Sequence, residues 1–453
     1  MKKERSNAMK PHFSTEHFPF PMHSILIWKD GEILQEEYFA PYQKGLKHRM
    51  FSITKAYTSL AIGALMVEGK LSLDDPIVKF FPEFTPENAH EWLTRMTIRD
   101  MLSMRTCHKS TTYKINEKEN WVRSFFITKP DHAPGKIFKY DTSSAHTMAA
   151  LVKKLTGKGV LDYLREVYLD RIGFSPDAFV LNDPFGSEIG GSGMVAYPND
   201  LFVTAKLLLS LYKGTWEADY PDLSGCADSI YDRTFWTRYA AYIREAMSYH
   251  TSNRHDAKTV DEGQGYGYQF WLLRDGGIMM YGMGGQYMAI YPDLNLIFIT
   301  TADTQSIQGG TQYILDEFHR IALELGARND VPAVAVAAKE PSYSAAPVLL
   351  CENGSGFKSF QLTETELILE GAEHTFRIPY SLDSYAECRD PKYQQTLFTK
   401  GFPQPDGSLY LHTQILDDYV GAIHFVIKDQ VLYIRKVEES LYKEFNGFFT
   451  GRP

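Results

Sequence analysis

The spacing of apolar positions has a period of two in some parts of the chain and of three to four in others. Residues 24–28 and 32–38 alternate on either side of Lys29-Asp30-Gly31, a pattern that predicts a β-hairpin. Strand patterns return beyond residue 262, with turns that suit antiparallel pairing. The strands predicted there are residues 265–273, 278–281, 287–291, 296–301, 366–369, 408–411, 422–426 and 431–434.

Helical periodicity dominates the region between these strand patterns. An apolar run over residues 51–66 predicts a helix that ends near Gly69, a residue suited to a C-cap. Residues 71–262 carry mostly helical patterns broken by Pro and Gly, including helices over 143–155 and 199–211. A further amphipathic helix is predicted over residues 312–325.

These patterns predict an α+β protein with a second domain. The catalytic domain would span residues 10–330, with an α/β part at about 20–70 and 263–326 and a helical lobe at about 71–262. An Ala/Val/Pro stretch then indicates a linker over residues 331–346. Residues 347–453 would form a separate antiparallel β domain, in the form of a small barrel or half-barrel.

Composition and net charge limit the classes of binding partner that we expect. The chain has 453 residues, of which 44% are hydrophobic, and a formal net charge of −9 with no long Lys/Arg cluster. Nucleic acid and membranes are therefore not expected as partners. No signal peptide or apolar run of the ~18 residues that span a bilayer is found, and the four cysteines lie far apart. We therefore expect a cytoplasmic protein.

The first chemical signal lies at the start of the first predicted helix. Ser52 and Lys55 are three residues apart, so the hydroxyl and the amine can meet on one helix face. A serine becomes a nucleophile when a base takes its proton, and a lysine becomes such a base when burial disfavours its charged form. A solvated serine beside a surface lysine would give the same pattern.

The second signal is a tyrosine delivered just before a helix. The segment Pro134-Gly135 to Thr142 places Tyr140 there, where its oxygen could relay a proton to a leaving group. A core or surface role for Tyr140 is the alternative. Thr142 could equally be the N-cap of the helix that follows.

The third signal is Tyr281-Gly282-Met283-Gly284-Gly285-Gln286, between two strand patterns. Glycines within a strand often mark the close approach of a ligand to the backbone. A strand-edge N–H in this segment, together with the N–H of Ser52, would form a two-donor oxyanion hole. A bulge or tight packing against the first helix would explain the glycines as well.

The three motifs, in this order, resemble those of the β-lactamase-related serine hydrolases, which include class C β-lactamases, DD-peptidases and esterases. The resemblance covers about residues 24–325 and implies a β-lactamase/transpeptidase-like fold, an antiparallel sheet flanked by helices with a helical lobe. It implies Ser52 as nucleophile, Lys55 as base and Tyr140 as proton relay. It also implies that the backbone N–H groups of Ser52 and Gln286 form the oxyanion hole.

Two departures from the family pattern bear on the substrate. The family's Lys-Thr-Gly is replaced by Met283-Gly284-Gly285, and its asparagine by Thr142. These four residues are the candidate substrate-binding positions. Both replacements remove polar contacts suited to a β-lactam, so the pattern favours an esterase or amidase. His146 could reach the rim of the site, or it could pack within its helix.

The sequence thus predicts a hydrolase that cleaves a small ester, amide or short peptide through a Ser52 acyl-enzyme. The alternative, from another functional class, is a catalytically silent sensor or binding protein on the same fold. No cofactor or metal site is indicated, because His90-Glu91 lacks the second zinc-binding histidine and Gly63 to Lys70 lacks phosphate-loop spacing. Gly190 to Met194 is interpreted as a loop beside the site. The oligomeric state is left open.

Overall fold

The computed structural model describes residues 11–116, 118–223, 230–327, 337–416, 421–437 and 441–452. The chain divides into two compact units, each assembled from three stretches. Unit 1 contains residues 1–72, 145–249 and 258–335, and unit 2 contains residues 73–144, 250–257 and 336–453. The domain limits expected from the sequence stay predictions, and residues 331–336 of the expected linker lie outside the described residues.

The α-helices lie mostly in the region where the sequence has helical periodicity. In chain order they are α1 (Thr54–Val67), α2 (Glu91–Arg95), α3 (Ile98–Leu102), α4 (Trp121–Ile127), α5 (Thr142–Thr156), α6 (Val160–Val167), α7 (Pro198–Lys213), α8 (Trp216–Asp219), α9 (Arg233–Ala246) and α10 (Gly310–Glu324). Single 3-10 turns occupy Phe51–Ile53, Ile77–Phe80, Thr112–Lys114, Leu169–Ile172, Pro221–Leu223, Asp261–Gly263 and Pro292–Leu294.

Unit 1 is built on an antiparallel sheet. Its strands are β1 (Met22–Lys29), β2 (Glu32–Tyr38), β3 (His48–Arg49), β4 (Phe179–Val180), β5 (Met194–Ala196), β6 (Trp271–Leu272), β7 (Ile278–Gly282), β8 (Gln286–Tyr291) and β9 (Leu296–Ala302). Six of them form a sheet in the order β2-β1-β9-β8-β7-β6, and β3-β5-β4 form a small separate sheet. Strands β8 and β9 are buried throughout, because helices cover the large sheet.

Two helices of unit 1 are packed into its core. Helix α10 packs through Phe318 on Phe298 of β9, with 4.4 Å between the ring centroids. Helix α1 is buried from Thr54 to Leu65, which explains its nearly continuous apolar sequence. It follows directly on the 3-10 turn Phe51–Ile53, so the helix predicted over residues 51–66 is confirmed with a tighter first turn.

The predicted hairpin and the predicted strands that correspond to β7, β8 and β9 are confirmed. The strand predicted over residues 265–273 is wrong over most of its length. Only Trp271–Leu272 is strand. Gln269 has a φ of 72°, in the left-handed region, which ends any extended run. The N–H of Gly267 bonds to the carbonyl of Phe270 at 2.8 Å, so the segment folds back on itself.

The C-terminal part of unit 2 consists of two antiparallel sheets. One contains β10 (Val348–Leu349), β11 (Ser359–Leu362), β12 (Glu366–Glu370) and β13 (Thr375–Pro379). The other contains β14 (Ala386–Arg389), β15 (Thr396–Pro403), β16 (Leu409–Leu416), β17 (Gly421–Lys428), β18 (Val431–Lys436) and β19 (Gly447–Thr450). Single bridges join Leu350 to Gly451 and Ser381 to Lys400, and both sheets bury side chains in one shared core.

Residues 73–144 pack against the outer face of the larger C-terminal sheet within unit 2. Ile137 lies in a buried apolar cluster with Tyr410, Val426, Val431 and Tyr433. The ring of His132 stacks on Phe448 at 3.6 Å between centroids. The segment that carries Tyr140 is therefore supported by strands from the far end of the chain.

Candidate active site

Ser52 and Lys55 meet in unit 1 as their spacing predicts. The Nζ of Lys55 lies 3.0 Å from the Oγ of Ser52 and donates to the carbonyl of Gly191 at 2.6 Å. The side chain of Lys55 is only 1% exposed. A buried amine in contact with a serine hydroxyl is the arrangement in which lysine can act as a base.

The backbone at the start of α1 is strained next to the nucleophile candidate. Phe51 has a φ of 45°, which is unusual for a bulky residue. The turn is fixed by Thr54, whose hydroxyl donates to the Phe51 carbonyl at 2.6 Å and accepts from the N–H of Met194 at 3.0 Å. Strain held in this way is common where a reactive side chain must be presented.

The loop before β5 runs beside α1. Thr58 donates its hydroxyl proton to the Gly190 carbonyl at 2.9 Å, one residue from the carbonyl that binds Lys55. Of the stretch Gly190 to Met194 that was expected to be a loop, residues 190–193 form a loop next to Lys55, whereas Met194 begins β5. The carbonyl of Gly191 was not predicted as a partner of Lys55, because a backbone acceptor leaves no mark on the sequence pattern.

The glycine motif forms the turn between β7 and β8. Gly282 is the last residue of β7, and a Cβ added there would lie 2.2 Å from the Met50 carbonyl oxygen. Only glycine therefore fits where β7 packs against the segment that leads into Ser52. Gly284 and Gly285 have φ values of 89° and 91°, which the turn requires. The interpretation of the glycines as a place of tight packing agrees with this geometry at Gly282.

Each carbonyl of the turn is held by a donor. The Nε2 of Gln286 donates to Met283 at 3.3 Å, the N–H of Thr304 to Gly284 at 3.1 Å, and the hydroxyl of Thr300 to Gly285 at 3.0 Å. The side chain of Met283 remains 47% exposed. The turn is therefore rigid and offers an apolar side chain to solvent. Gln286 pairs with Gly282 in the β7–β8 ladder, and its role as oxyanion donor stays a prediction.

Tyr140 and Thr142 belong to unit 2. The segment before Tyr140 is pinned by the N–H of Lys139, which donates to the Met104 carbonyl at 2.8 Å. The N–H of Tyr140 faces a carboxylate oxygen of Asp256 at 3.5 Å. The ammonium of Lys139 binds the other oxygen of Asp256 at 2.5 Å.

Residues 251–256 form a clamp segment that no sequence pattern had singled out. At one end, Asp406 accepts from the N–H of Ser252 at 3.0 Å, within the turn before β16. At the other, the Nε2 of His255 bonds to the Phe138 carbonyl at 2.8 Å. The clamp segment thus joins the C-terminal sheet to the residues around Tyr140. Its long separation in sequence from both partners explains why it could not be found.

Helix α5 begins at Thr142, so Thr142 is not its N-cap and that alternative is wrong. The capping side chain is that of Asp141, whose Oδ1 accepts from the N–H of Ser143 at 2.8 Å. His146 is fully buried and its Nε2 bonds to Asp183 at 3.1 Å, so it packs within the fold of unit 1. Burial favours the neutral form of Asp183, but His146 and the N–H groups of Ser187 and Phe185 hold the pKa of Asp183 below its usual value.

A comparison with protein families decides the relationship of the chain. The family model described as Beta-lactamase matches residues 20–311, well over half of the chain. The chain belongs to the beta-lactamase family. The predicted β-lactamase/transpeptidase-like fold, with an additional C-terminal antiparallel β domain, is confirmed. The family is one of serine hydrolases, and the chain shares its fold.

Individual members of the beta-lactamase family are distant from this chain. Protein flp of Staphylococcus aureus (strain MRSA252) is 27% identical over 194 residues, which cover 38% of this chain and 38% of flp. The 6-aminohexanoate-dimer hydrolase of Paenarthrobacter ureafaciens is 20% identical over 203 residues, which cover 41% of this chain and 51% of that enzyme. The match thus spans well under two thirds of these relatives' length.

Some solved structures match nearly the whole chain. The octameric penicillin-binding protein homologue from Pyrococcus abyssi aligns with a TM-score of 0.50 and 16% identity, over 95% of this chain and 96% of that protein. At this identity the similarity establishes the fold alone. In the described part of this chain, every helix is too short or too polar to cross a bilayer.

Proposed function

We propose that this chain is a serine hydrolase that cleaves an ester or amide through an acyl-enzyme on Ser52. The observation that carries the proposal is the 3.0 Å contact between the Nζ of buried Lys55 and the Oγ of Ser52. The named activity of a distant relative, the 6-aminohexanoate-dimer hydrolase, belongs to the same reaction class. Neither a cofactor nor a metal is needed for this chemistry.

In the proposed first step, neutral Lys55 takes the proton of Ser52 as its oxygen attacks the substrate carbonyl. The carbon–oxygen bond forms, and the carbonyl electrons move onto the oxygen to give a tetrahedral oxyanion. The Gly191 carbonyl orients the Nζ of Lys55 by accepting one of its protons at 2.6 Å. The N–H groups of Ser52 and Gln286 are the proposed oxyanion donors.

In the proposed second step, the tetrahedral intermediate collapses and the leaving group departs with a proton. Tyr140 is the proposed relay for that proton, and Thr142 is a proposed substrate contact. Water then attacks the ester of Ser52 and releases the acid, which regenerates the hydroxyl. The support for Tyr140 is its place in the motif order and the rigid backbone around it in unit 2.

The proposed substrate is neutral near the scissile bond. Met283 is exposed on the rigid turn after β7, and it stands where family members that bind a carboxylate carry lysine. With Gly284 and Gly285 beside it, the turn offers an apolar side chain and bare backbone. Such a surface suits an uncharged acyl group better than a β-lactam carboxylate.

The test is activity-based labelling combined with an ester, amide, D-amino-acid peptide and β-lactam panel. A fluorophosphonate should add one label to the wild type and none to Ser52→Ala, while Ser248→Ala, which alters a surface serine of unit 1, should label normally. Ser52→Ala and Lys55→Met should each lose several orders of magnitude in kcat, and the double variant little more, because they act together.

Two results would contradict the proposal. Labelling that persists in Ser52→Ala would remove Ser52 as nucleophile. A wild type that takes up the label but turns over no member of the panel would favour the alternative, a catalytically silent sensor or binding protein.

A further inference from the structure

Four basic side chains form a row across the outer face of the larger C-terminal sheet. The register pairs Lys400 of β15 with His412 of β16, His412 with His424 of β17, and His424 with Arg435 of β18. The neighbouring residues on each strand, such as Leu411 and Phe425, point into the shared core. The four side chains of this basic row are half-buried and share one face.

The two permanent cations of the row, Lys400 and Arg435, stand at its ends, and each binds a backbone oxygen. Lys400 donates to the Asp383 carbonyl at 2.9 Å, and Arg435 to the His255 carbonyl at 2.9 Å. The ion pairs found among the described residues include neither of them.

A fifth cation lies beside the basic row. Arg254, on the clamp segment, places its guanidinium 4.4 Å from the ring centre of Phe402 and 5.3 Å from that of Tyr410. It is exposed, and stacking on two aromatic rings fixes its plane without using its N–H groups. The edge of the guanidinium is therefore available to a planar anion.

Each of the two histidines uses one ring nitrogen in a contact with a tyrosine. The hydroxyl of Tyr410 lies 2.5 Å from the Nδ1 of His424, and burial raises the pKa of this phenol to about 12, so the phenol keeps its proton. The hydroxyl of Tyr385 lies 3.4 Å from the Nδ1 of His412. For the other ring nitrogen, Nε2, the described residues offer no partner.

The surroundings of both rings oppose a positive charge on them. Burial, then His412, Arg435 and His255, lower the pKa of His424 to about 4. Burial, then Arg254, lower the pKa of His412. The resolved influences on both rings are burial and cationic or imidazole neighbours, with no carboxylate among them.

We propose that the basic row and Arg254 form a binding site for a small anion that carries carboxylate or phosphate groups. The Nε2 atoms of His412 and His424, which carry a proton when the rings are imidazolium, and the guanidinium of Arg254 supply three donors. Lys400 and Arg435 stand at the two ends, about 14 Å apart by strand spacing, which favours a ligand with two anionic groups. The aromatic rings of Phe402 and Tyr410 provide an apolar wall for its carbon skeleton.

All residues of the site belong to unit 2. The anion is therefore proposed as a free small ligand, and its binding does not depend on the proposed function.

Binding is tested by NMR of the full chain labelled with 15N-histidine, with His412→Gln and His424→Gln used to assign the two rings. The probes are glutarate and inorganic phosphate, with glutaramide and equal ionic strength of chloride as controls. Glutarate or phosphate should raise the pKa of both rings in a saturable way, because an anion favours the imidazolium. Arg254→Gln should weaken binding about ten- to a hundredfold.

The matched control is Arg377→Gln, which changes an exposed arginine on the smaller sheet of the same part of unit 2. It should bind the probes as the wild type does. Shifts that chloride reproduces, or that are the same in Arg254→Gln, would overturn the site. The site would also be overturned if neither anion, at millimolar concentration, gave a saturable shift of the ring pKa values while all the proteins compared unfold cooperatively.

Discussion

Lys55 combines burial, a serine contact and a backbone acceptor in one side chain. Its Nζ has the Gly191 carbonyl at 2.6 Å and the Ser52 hydroxyl at 3.0 Å. An arginine placed there would keep a cation but could not take a proton at any ordinary pH. The proposed chemistry of this position thus requires a group that can be neutral, and not charge alone.

We expect Lys55→Arg to be as inactive as Lys55→Met toward esters, by at least three orders of magnitude in kcat, because both lack a base. Stopped-flow measurement of the acylation step checks this. Lys70→Arg, at an exposed lysine that pairs with Glu68, is the matched control and should leave the rate unchanged. Substantial activity in Lys55→Arg would mean that Lys55 serves only electrostatically.

Met283 governs the proposed preference for uncharged acyl groups. We expect the wild type to cleave short neutral esters faster than any penicillin or cephalosporin. Met283→Lys should gain about one to two orders of magnitude in relative affinity for carboxylate-bearing β-lactams, since a charge-assisted contact contributes roughly 1.5–3 kcal/mol. Steady-state kinetics of both substrate classes, with Met283→Leu as control, measure the change.

A wild type that hydrolysed a cephalosporin as well as its best ester would contradict this interpretation of the turn. Because Thr142 also replaces a polar family residue, the double variant Met283→Lys with Thr142→Asn separates the two effects. If only the double variant gains, Thr142 sets the limit.

At the scale of elements, the clamp segment of residues 251–256 positions the strand-like segment that ends in Tyr140. Burial opposes the charge of Lys139, but Asp256 and Tyr433 outweigh it and raise the pKa of Lys139 above its usual value. The ion pair between Lys139 and Asp256 is therefore intact through neutral and moderately alkaline pH. It links the clamp to the backbone just before Tyr140.

We expect Asp256→Asn to lower kcat about tenfold with little change in KM, because it loosens Tyr140 without touching the substrate. The free energy of unfolding should fall by only about 1 kcal/mol. Kinetics together with urea denaturation provide the measurement. Asp131→Asn, which breaks a comparable ion pair with Lys109 in unit 2, should leave kcat unchanged; an equal loss there would assign the effect to general destabilisation.

The elements found by periodicity are those whose faces are set locally. The hairpin β1–β2, helix α1 and strands β12, β17 and β18 have clear periods and were predicted close to their observed bounds. Strand β16 was predicted over only half of its length, and β10, β11, β13, β14, β15 and β19 were not predicted. Residues 265–270 were mispredicted because Gln269 adopts a left-handed conformation that no local pattern demands. The Ser52–Lys55 contact was predictable from helical geometry. The Gly191 carbonyl and the clamp segment were not, since both act across more than a hundred residues.

On the scale of the whole molecule, buried histidines lower the free energy of unfolding as the pH becomes acidic. Burial lowers the pKa of His23 and His108 to about 4 and of His132 to about 3, so all three are neutral in the folded state. In the unfolded chain they titrate near 6.5 and take up protons first. Stability is therefore complete above about pH 6.5 and is lost as pH falls toward 4.

We expect His132→Phe to remove part of this acid sensitivity, because the phenyl ring keeps the stack on Phe448. The wild type should lose about 3 kcal/mol through His132 alone between pH 7 and 4, and the variant should lose correspondingly less. Denaturant unfolding at a series of pH values measures it, with His374→Phe, at a partly exposed position, as control. Identical pH profiles for wild type and variant would show that His132 titrates normally.

The C-terminal sheets and residues 73–144 of unit 2 should differ in how far each depends on the other. The C-terminal sheets share a core of their own, so we expect residues 340–453 to unfold cooperatively when expressed alone. A chain that ends at Lys339 removes the partners of Ile137 and His132 and should lose hydrolase activity even where it remains soluble. Circular dichroism and the ester assay check both. Full activity in the shortened chain would refute the dependence.

Unit 2 takes residues from near the beginning, the middle and the end of the chain, and this order has a consequence for biosynthesis. Tyr140 leaves the ribosome more than two hundred residues before β18, whose Tyr433 packs against Ile137. At roughly 5–20 residues per second, its supporting strands follow tens of seconds later. The nascent polypeptide therefore carries Ser52 and Tyr140 long before the strands that support Tyr140 exist. With Tyr140 as the proposed relay, a message that stops early should yield an inert product, and hydrolysis should begin only when translation has finished.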